Sequence, residues 1–74
     1  AACKVFPNPT KNTLKIVRLD PETNLAGVFN IAGGMVLQPG AKDETIDVSA
    51  LAAGVYFLKV NTNGLSDQLR FVKN

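Results

Sequence analysis

Few side chains in this sequence could carry out acid, base or nucleophilic chemistry. The 74 residues include no histidine, which removes the commonest general base and most metal-binding patterns. Cys3 is the single cysteine, and without a histidine its thiol has no partner to activate it as a nucleophile. Gly33-Gly34 is not followed by the Lys-Ser/Thr pair of a phosphate-binding loop, so a hairpin turn is the preferred interpretation. We therefore predict that the protein is not an enzyme and uses no cofactor.

The acidic residues fall into two groups, whereas the basic residues are scattered. Carboxylates that converge on one point could bind calcium, but neither Asp20 with Glu22 nor Asp43 with Glu44 and Asp47 has the spacing of a calcium loop. Solvated turns are the preferred interpretation, and we predict no metal site. The formal net charge of +2, from eight basic and six acidic residues, is too small to indicate a nucleic-acid partner.

Two further groups of side chains allow alternative interpretations. Lys59, Arg70 and Lys73 could form a recognition patch, but basic residues on edge strands also discourage aggregation, and charge alone favours this second interpretation. The aromatic residues lie mostly within strand patterns. This indicates core packing rather than a sugar-stacking platform, which would need several exposed rings on one face. They are Phe6, Phe29, Tyr56, Phe57 and Phe71.

The C-terminal third of the sequence predicts a β-hairpin. Residues 55–58 are an uninterrupted apolar run, so we expect a strand with both faces covered. Gly54 before it marks a tight or bulged turn. Asn63-Gly64 is the dipeptide that most readily forms a two-residue hairpin loop. This loop would place apolar residues opposite one another on one face. The predicted pairs are Thr62 with Leu65, Leu58 with Leu69, and Tyr56 with Phe71.

Elsewhere the sequence alternates between strand-like and turn-like segments about every ten residues. Leu14 and Ile16 mark the buried face of a strand over 13–19, and further strands are predicted over 25–31, 35–38 and 45–48. The predicted connections are a tight turn at 32–34, one helical turn at 49–53 capped by Ser49 or Asp47, and an extended edge or corner at Pro7-Asn8-Pro9. The pattern predicts an all-β fold, a small antiparallel β-sandwich.

The length of the chain predicts one domain, near the lower limit at which a hydrophobic core suffices without disulfides or metals. Its apolar runs are only a few residues long, too short to span a bilayer. Residues 1–4 are predicted to be a linker or an expression remnant, with Cys3 at a frayed end, and residues 5–74 to form the domain. No signal peptide precedes the first strand, so we expect any export signal to lie elsewhere, in a longer protein.

Four blocks in order carry a family resemblance. They are Val5-Phe6-Pro7-Asn8-Pro9-Thr10, then Val28 to Gly33, then Thr45 to Ser49 with Leu51, Gly54-Val55-Tyr56 and Leu58-Lys59-Val60, and finally Arg70-Phe71-Val72-Lys73. Together they resemble the C-terminal sorting domain of the type IX secretion system, found on cargo proteins of Bacteroidetes. Gly34 departs from the pattern, where the family usually has Lys, Arg or Gln, and so does the final residue, Asn74.

The resemblance implies a seven-stranded immunoglobulin-like sandwich that acts as an address tag for a passenger on its N-terminal side. Family cargo is exported to the periplasm and crosses the outer membrane through a protein translocon to the cell surface or the medium. A sortase-like cysteine peptidase then often removes the tag. Residues 54–74 are the part expected to be read. The residues predicted for recognition are Lys59, Arg70, Phe71, Val72 and Lys73, of which the three basic ones should be exposed. The alternative is an immunoglobulin-like adhesion or carbohydrate-binding module retained on a surface protein.

Overall fold

Seven β-strands make up the part of the protein that the computed structural model describes, residues 3–74. They form two antiparallel sheets, one with the order β1-β2-β5 and the other with the order β4-β3-β6-β7. The prediction of an all-β sandwich of about seven strands is confirmed. The strands are β1 Cys3–Phe6, β2 Thr13–Arg18, β3 Thr23–Asn30, β4 Met35–Leu37, β5 Thr45–Asp47, β6 Gly54–Thr62 and β7 Leu65–Lys73.

The hairpin of β6 and β7 has the predicted register. Tyr56 lies opposite Phe71, and the loop is the two residues Asn63 and Gly64. Both have positive φ, 52° and 82°, which suits the right-handed twist of the flanking strands. The side chain of Asn61 also accepts a hydrogen bond from the Gly64 N–H at 3.0 Å. Local turn chemistry and side-chain alternation therefore favour the same register.

The hairpin of β3 and β4 is held by Asn30. Its side-chain oxygen accepts hydrogen bonds from the N–H groups of Ala32 and Gly34, at 3.0 and 2.9 Å. Gly33, with φ of 91°, adopts the left-handed conformation that favours glycine. The predicted turn over 32–34 is confirmed.

The core lies between the sheets and is built from alternate strand residues. Tyr56 and Phe71 stack with ring centroids 5.8 Å apart, and the Tyr56 hydroxyl donates to the Ala52 carbonyl at 2.7 Å. A buried phenol therefore keeps a hydrogen-bond partner. The buried apolar residues are Cys3, Leu14, Ile16, Leu25, Val28, Ile46, Val48, Tyr56, Leu58, Val60 and Phe71.

Three predictions about local structure are wrong. Cys3 does not lie at a frayed end: it pairs with Arg18 of β2 and is only 1% exposed, because its side chain is part of the hydrophobic core. Lys4 also lies in β1, whereas residues 1 and 2 of the predicted linker lie outside the described residues. The two remaining corrections concern β6 and the segment that precedes it.

The apolar run over 55–58 has only one face in the core. Tyr56 is buried there, whereas Val55 and Phe57 are half-buried on the opposite face, because in a two-layer sandwich each sheet has just one covered side. Residues 49–53 form turns rather than helix. Asp47 does cap this segment, since its Oδ1 accepts hydrogen bonds from the backbone N–H of Ser49 at 2.9 Å and from its hydroxyl at 2.6 Å.

Two cations hold the loops at one end of the sandwich. The guanidinium group of Arg18 donates to the carbonyls of Thr23, Ala41 and Asp43 at 2.8 to 3.1 Å. Lys42 donates to the Pro21 carbonyl at 2.6 Å. These side chains join the loop over 41–43 to the turn between β2 and β3, where the Ala41 carbonyl also accepts a hydrogen bond from the Leu25 N–H at 2.8 Å. Within residues 3–74, no helix is long and apolar enough to cross a membrane.

Candidate recognition surface

The outer edge of β7 is closed over its C-terminal half by the segment that carries the Pro-Asn-Pro motif. The side chain of Asn8 accepts a hydrogen bond from the Val72 N–H at 2.9 Å and donates to the Arg70 carbonyl at 3.3 Å. Thr10 continues the pairing: its N–H donates to the Val72 carbonyl at 2.9 Å, and its carbonyl accepts from the Asn74 N–H at 2.8 Å. The prediction that this segment lies at a sheet edge is confirmed, since Thr10 forms an isolated parallel bridge with Lys73.

The residues of β7 that were predicted for recognition point to two different faces. Phe71 is completely buried and Lys73 is only 8% exposed, whereas Arg70 is exposed and Val72 half-buried on the opposite face. The expectation that Lys73 is an exposed cation is therefore wrong. The alternation of a strand turns it to the same side as Phe71, and its ammonium donates to the Asn74 carbonyl at 3.0 Å. Lys59, in β6, is exposed as predicted.

Lys59, Arg70 and Val72 share the solvent side of the four-stranded sheet. Directly paired residues of antiparallel strands share a face, and the register places Phe57 opposite Arg70 and Val55 opposite Val72. On the other side of β6, Phe29 lies opposite Phe57 and also pairs with Met35. We name this surface the outer sheet face and define it by seven residues: Phe29, Met35, Val55, Phe57, Lys59, Arg70 and Val72.

The outer sheet face is centred on two phenylalanine rings. The ammonium group of Lys59 lies 4.3 Å from the centroid of the Phe29 ring, within range of a cation–π interaction. Gly27 provides the space for this packing. A Cβ atom at Gly27 would lie 2.9 Å from the Met35 Cε and 3.1 Å from the Phe29 Cε1, so any other residue would displace these side chains.

Sequence reasoning missed Phe29, Phe57 and Gly27 as parts of this surface, and the expectation of core packing is wrong for both rings. The signal for Phe57 was present, because a register that places Tyr56 and Leu58 on the core face must turn Phe57 to the other. The uninterrupted apolar run concealed this alternation. Nothing in the sequence around Gly27 indicates which side chains it lies beneath, since Met35 reaches it from the next strand.

The titratable groups with shifted pKa values do not lie on this face. Burial raises the pKa of the Cys3 thiol above its usual value of 9.0, which disfavours the reactive thiolate. The hydrogen bonds from the Ser49 hydroxyl and backbone N–H lower the pKa of Asp47 below 3.8. Across residues 3–74, no three side chains of the metal-binding types lie close enough to hold an ion.

Comparison with models of protein families shows where the chain belongs. The model of the family described as "Secretion system C-terminal sorting domain" matches residues 4–74. No curated protein and no solved structure gives a significant match to the chain. The family consists of sorting signals and is not known for catalysis, and the match does not favour the alternative of a retained adhesion or carbohydrate-binding module. The chain belongs to the family of C-terminal sorting domains that direct proteins, through type IX secretion, to the cell surface or beyond it.

Proposed function

We propose that this domain carries a passenger protein, attached to its N-terminal side, from the periplasm through the outer-membrane translocon. The observation that carries the proposal is the family match over residues 4–74, which includes both the Pro-Asn-Pro motif and the last strand. In this role the domain is a ligand of the secretion machinery and performs no catalysis itself. It therefore requires a stable fold and an accessible surface, but no nucleophile, metal or cofactor.

Within the recognition set, we assign contact with the machinery to Lys59, Arg70 and Val72. These side chains lie together on the outer sheet face, where a partner can reach them without unfolding the domain. Phe71 and Lys73 would act indirectly, by holding β7 in place from the core side. A partner that binds β7 would therefore contact the residues on the outer sheet face and not those on the core side.

We also propose that a sortase-like cysteine peptidase removes the domain by cutting before Cys3. Cys3 is buried and pairs with Arg18, and the pairing continues from Lys4 to Phe6. A peptidase binds its substrate as an extended strand, so a cut inside β1 would require this strand to leave the sheet. A cut before Cys3 leaves the pairing of β1 with β2 in place.

The experiment is transplantation of the domain. Residues 1–74 are fused to the C-terminus of an exported reporter in a bacterium that has the type IX system. We expect the reporter at the cell surface or in the medium, and we expect it to stay in the periplasm when residues 70–74 are deleted or when the host lacks the translocon. An intact fusion that remains periplasmic in the competent host would overturn the proposal.

Cleavage has a separate readout in the same cells. We expect the exported reporter to lose the mass of the domain in a host that has the peptidase, and to keep it in a host without the peptidase. The same fusion with Cys3 replaced by Ala serves as a control, because a cut before β1 should not depend on the Cys3 thiol. An exported reporter that keeps the domain in the peptidase-containing host would contradict the cleavage proposal but not the targeting proposal.

A further inference from the structure

We propose that the outer sheet face is a docking surface for an acidic protein segment. In this arrangement Lys59 and Arg70 bind carboxylates of the partner, and an apolar side chain of the partner packs on Phe57 between them. The inference rests on the proposed function for the identity of the partner, a component of the secretion machinery. It adds the place on the domain where the partner binds and the chemistry that the partner must present.

Five of the seven residues of the outer sheet face are apolar, although they lie on the side of the sheet that faces away from the core. In a two-layer antiparallel sandwich the solvent side of each strand is normally polar. Here β6 places Val55 and Phe57 on that side, and Phe29 and Met35 extend the row across two more strands. Met35 is 49% exposed. These side chains add little to the sandwich core, and contiguous exposed apolar surface is typical of interaction sites.

The charged residues of this face are all positive. Two of its seven residues are basic and none is acidic. Arg70, in β7, lies directly opposite Phe57 in β6. Lys59 lies two residues after Phe57 in β6, about 7 Å from it at the usual rise of a strand. The cations therefore flank the ring on two sides. A partner that presents carboxylates around an apolar side chain complements this arrangement.

Neither Lys59 nor Arg70 donates a side-chain hydrogen bond to another of the described residues, whereas three other cations do. Arg18 and Lys42 donate to backbone carbonyls in the loops, and Lys73 donates to Asn74. The Lys59 ammonium instead lies over the Phe29 ring, an interaction that leaves its N–H groups free to donate. Arg70 has the planar set of donors that binds a carboxylate through two hydrogen bonds.

The number of cations favours a protein segment over a polyanion. Binding to nucleic acid depends on the neutralisation of many phosphates, and an anionic membrane surface is recognised by clusters of several basic residues. Two cations around an aromatic centre resemble instead the arrangement of a protein interface, in which aromatic residues and arginine contribute most to affinity.

The opposite surface of the sandwich provides a matched control. On the three-stranded sheet, Lys4 pairs with Val17, and Lys15 pairs with Phe6, whose ring centroid lies 5.9 Å from the Lys15 ammonium. This surface also combines lysines with apolar residues, but it carries Asp47 as well, on the neighbouring strand. Reversing two lysines there changes the net charge by the same amount as reversing Lys59 and Arg70.

The experiment compares four forms of the reporter fusion in the competent host: the unchanged domain, K59E/R70E, the charge-preserving K59R/R70K, and the control K4E/K15E. Urea unfolding of the purified domains verifies that each form is folded. We expect K59E/R70E to reduce the exported fraction at least tenfold, with the reporter retained in the periplasm. We expect K4E/K15E to remain within twofold of the unchanged domain, and K59R/R70K, which keeps both charges but loses the paired donors of Arg70, to be exported better than K59E/R70E. If the unchanged fusion is not exported, the proposed function fails. If it is exported and K59E/R70E is exported equally well, or K4E/K15E is impaired equally, the docking surface fails.

Binding in vitro tests the chemistry of the partner. The probe is the purified outer-membrane translocon of the same host, immobilised in detergent. We expect the domain to bind it, F57S and K59E/R70E each to weaken binding at least tenfold, and 500 mM salt to weaken it severalfold relative to 50 mM. Vesicles with one third anionic lipid serve as the competing probe. Binding to vesicles that K59E/R70E abolishes, without binding to the translocon, would overturn the inference in favour of a membrane surface.

Discussion

The side-chain oxygen of Asn8 accepts a hydrogen bond from the backbone N–H of Val72 at 2.9 Å. Sixty-four positions separate these residues, so one short polar side chain joins the first motif of the domain to its last strand. The same side chain donates to the Arg70 carbonyl, and it therefore pairs with β7 as a neighbouring strand would. An exposed strand edge can recruit other chains, and Asn8 closes part of this one.

Replacement of Asn8 by Ala should destabilise the domain by about 1 kcal/mol, the usual net value of a hydrogen bond that water can partly replace. Urea unfolding measures the change. N8D should reduce the free energy of unfolding by less than N8A does, because the carboxylate still accepts the hydrogen bond from the Val72 N–H. Only the hydrogen bond donated to the Arg70 carbonyl is lost. N12A is the control, since Asn12 is exposed nearby and its side chain makes no hydrogen bond within the described residues. Equal effects of N8A and N12A would contradict a role of Asn8 at the edge of β7.

Replacement of Gly64 by Ala should destabilise the hairpin by about 1 to 2 kcal/mol, because φ of 82° at this position is costly for a residue with a Cβ atom. G34A is the matched control. Gly34 does not have the positive φ of Gly33 or Gly64, and a Cβ there would lie 3.4 Å from its nearest neighbour, the Asn30 Nδ2. G34A should therefore change the free energy of unfolding by less than about 0.5 kcal/mol. For the same reason G34K, which restores a residue typical of the family, should fold normally. A control variant as unstable as G64A would show that φ is not the cause.

Asp47 should make stability sensitive to acid. Hydrogen bonds from Ser49 lower its pKa in the folded protein below 3.8, so the stabilisation is present above the pKa of the unfolded chain and is lost as pH falls through the folded value. An NMR titration of the Asp47 carboxyl measures this pKa directly. In S49A the pKa should rise towards 3.8, because the hydroxyl donor is the larger cause. An unchanged pKa in S49A would contradict this explanation.

Cys3 should be protected from thiol reagents in the native state. Burial removes it from solvent and raises the pKa of its thiol above 9.0, so both access and thiolate formation are disfavoured. At pH 8 we expect its reaction with a disulfide reagent to be at least about a hundredfold slower in buffer than in 8 M urea, because reaction requires β1 to open. Because the folded protein disfavours the thiolate, the raised pKa also predicts that the free energy of unfolding falls as pH rises above about 9. Equal rates with and without urea would show that β1 is frayed.

Features that depend on neighbours along the chain follow from the sequence alone. Asn63-Gly64 determines a two-residue loop, and this loop together with side-chain alternation determines that Tyr56 lies opposite Phe71. Similarly, proline exclusion from central ladders places the Pro-Asn-Pro segment at an edge. These are local constraints of backbone geometry and strand period.

Turn chemistry and strand alternation do not predict the burial of a residue that is covered by a segment distant in the sequence. Cys3 resembles a loose terminus in the sequence, yet Arg18 pairs with it and the opposite sheet covers it. Lys73 resembles an exposed tail cation, yet it lies on the core side of β7 because Phe71 does. In both cases burial depends on what packs above the strand, and composition near the residue does not indicate that.

The sequence by itself determined the family, the two hairpins and the register of β6 with β7. Only the tertiary structure decided that Asn8 closes the edge of β7 and that Met35, Phe29, Phe57 and Arg70 form one continuous row. This row crosses four strands in the order β4-β3-β6-β7, and β3 and β6 are neighbours although β4 and β5 separate them along the chain. Turn chemistry acts over a few residues, whereas strand order depends on how the whole sandwich buries its apolar faces.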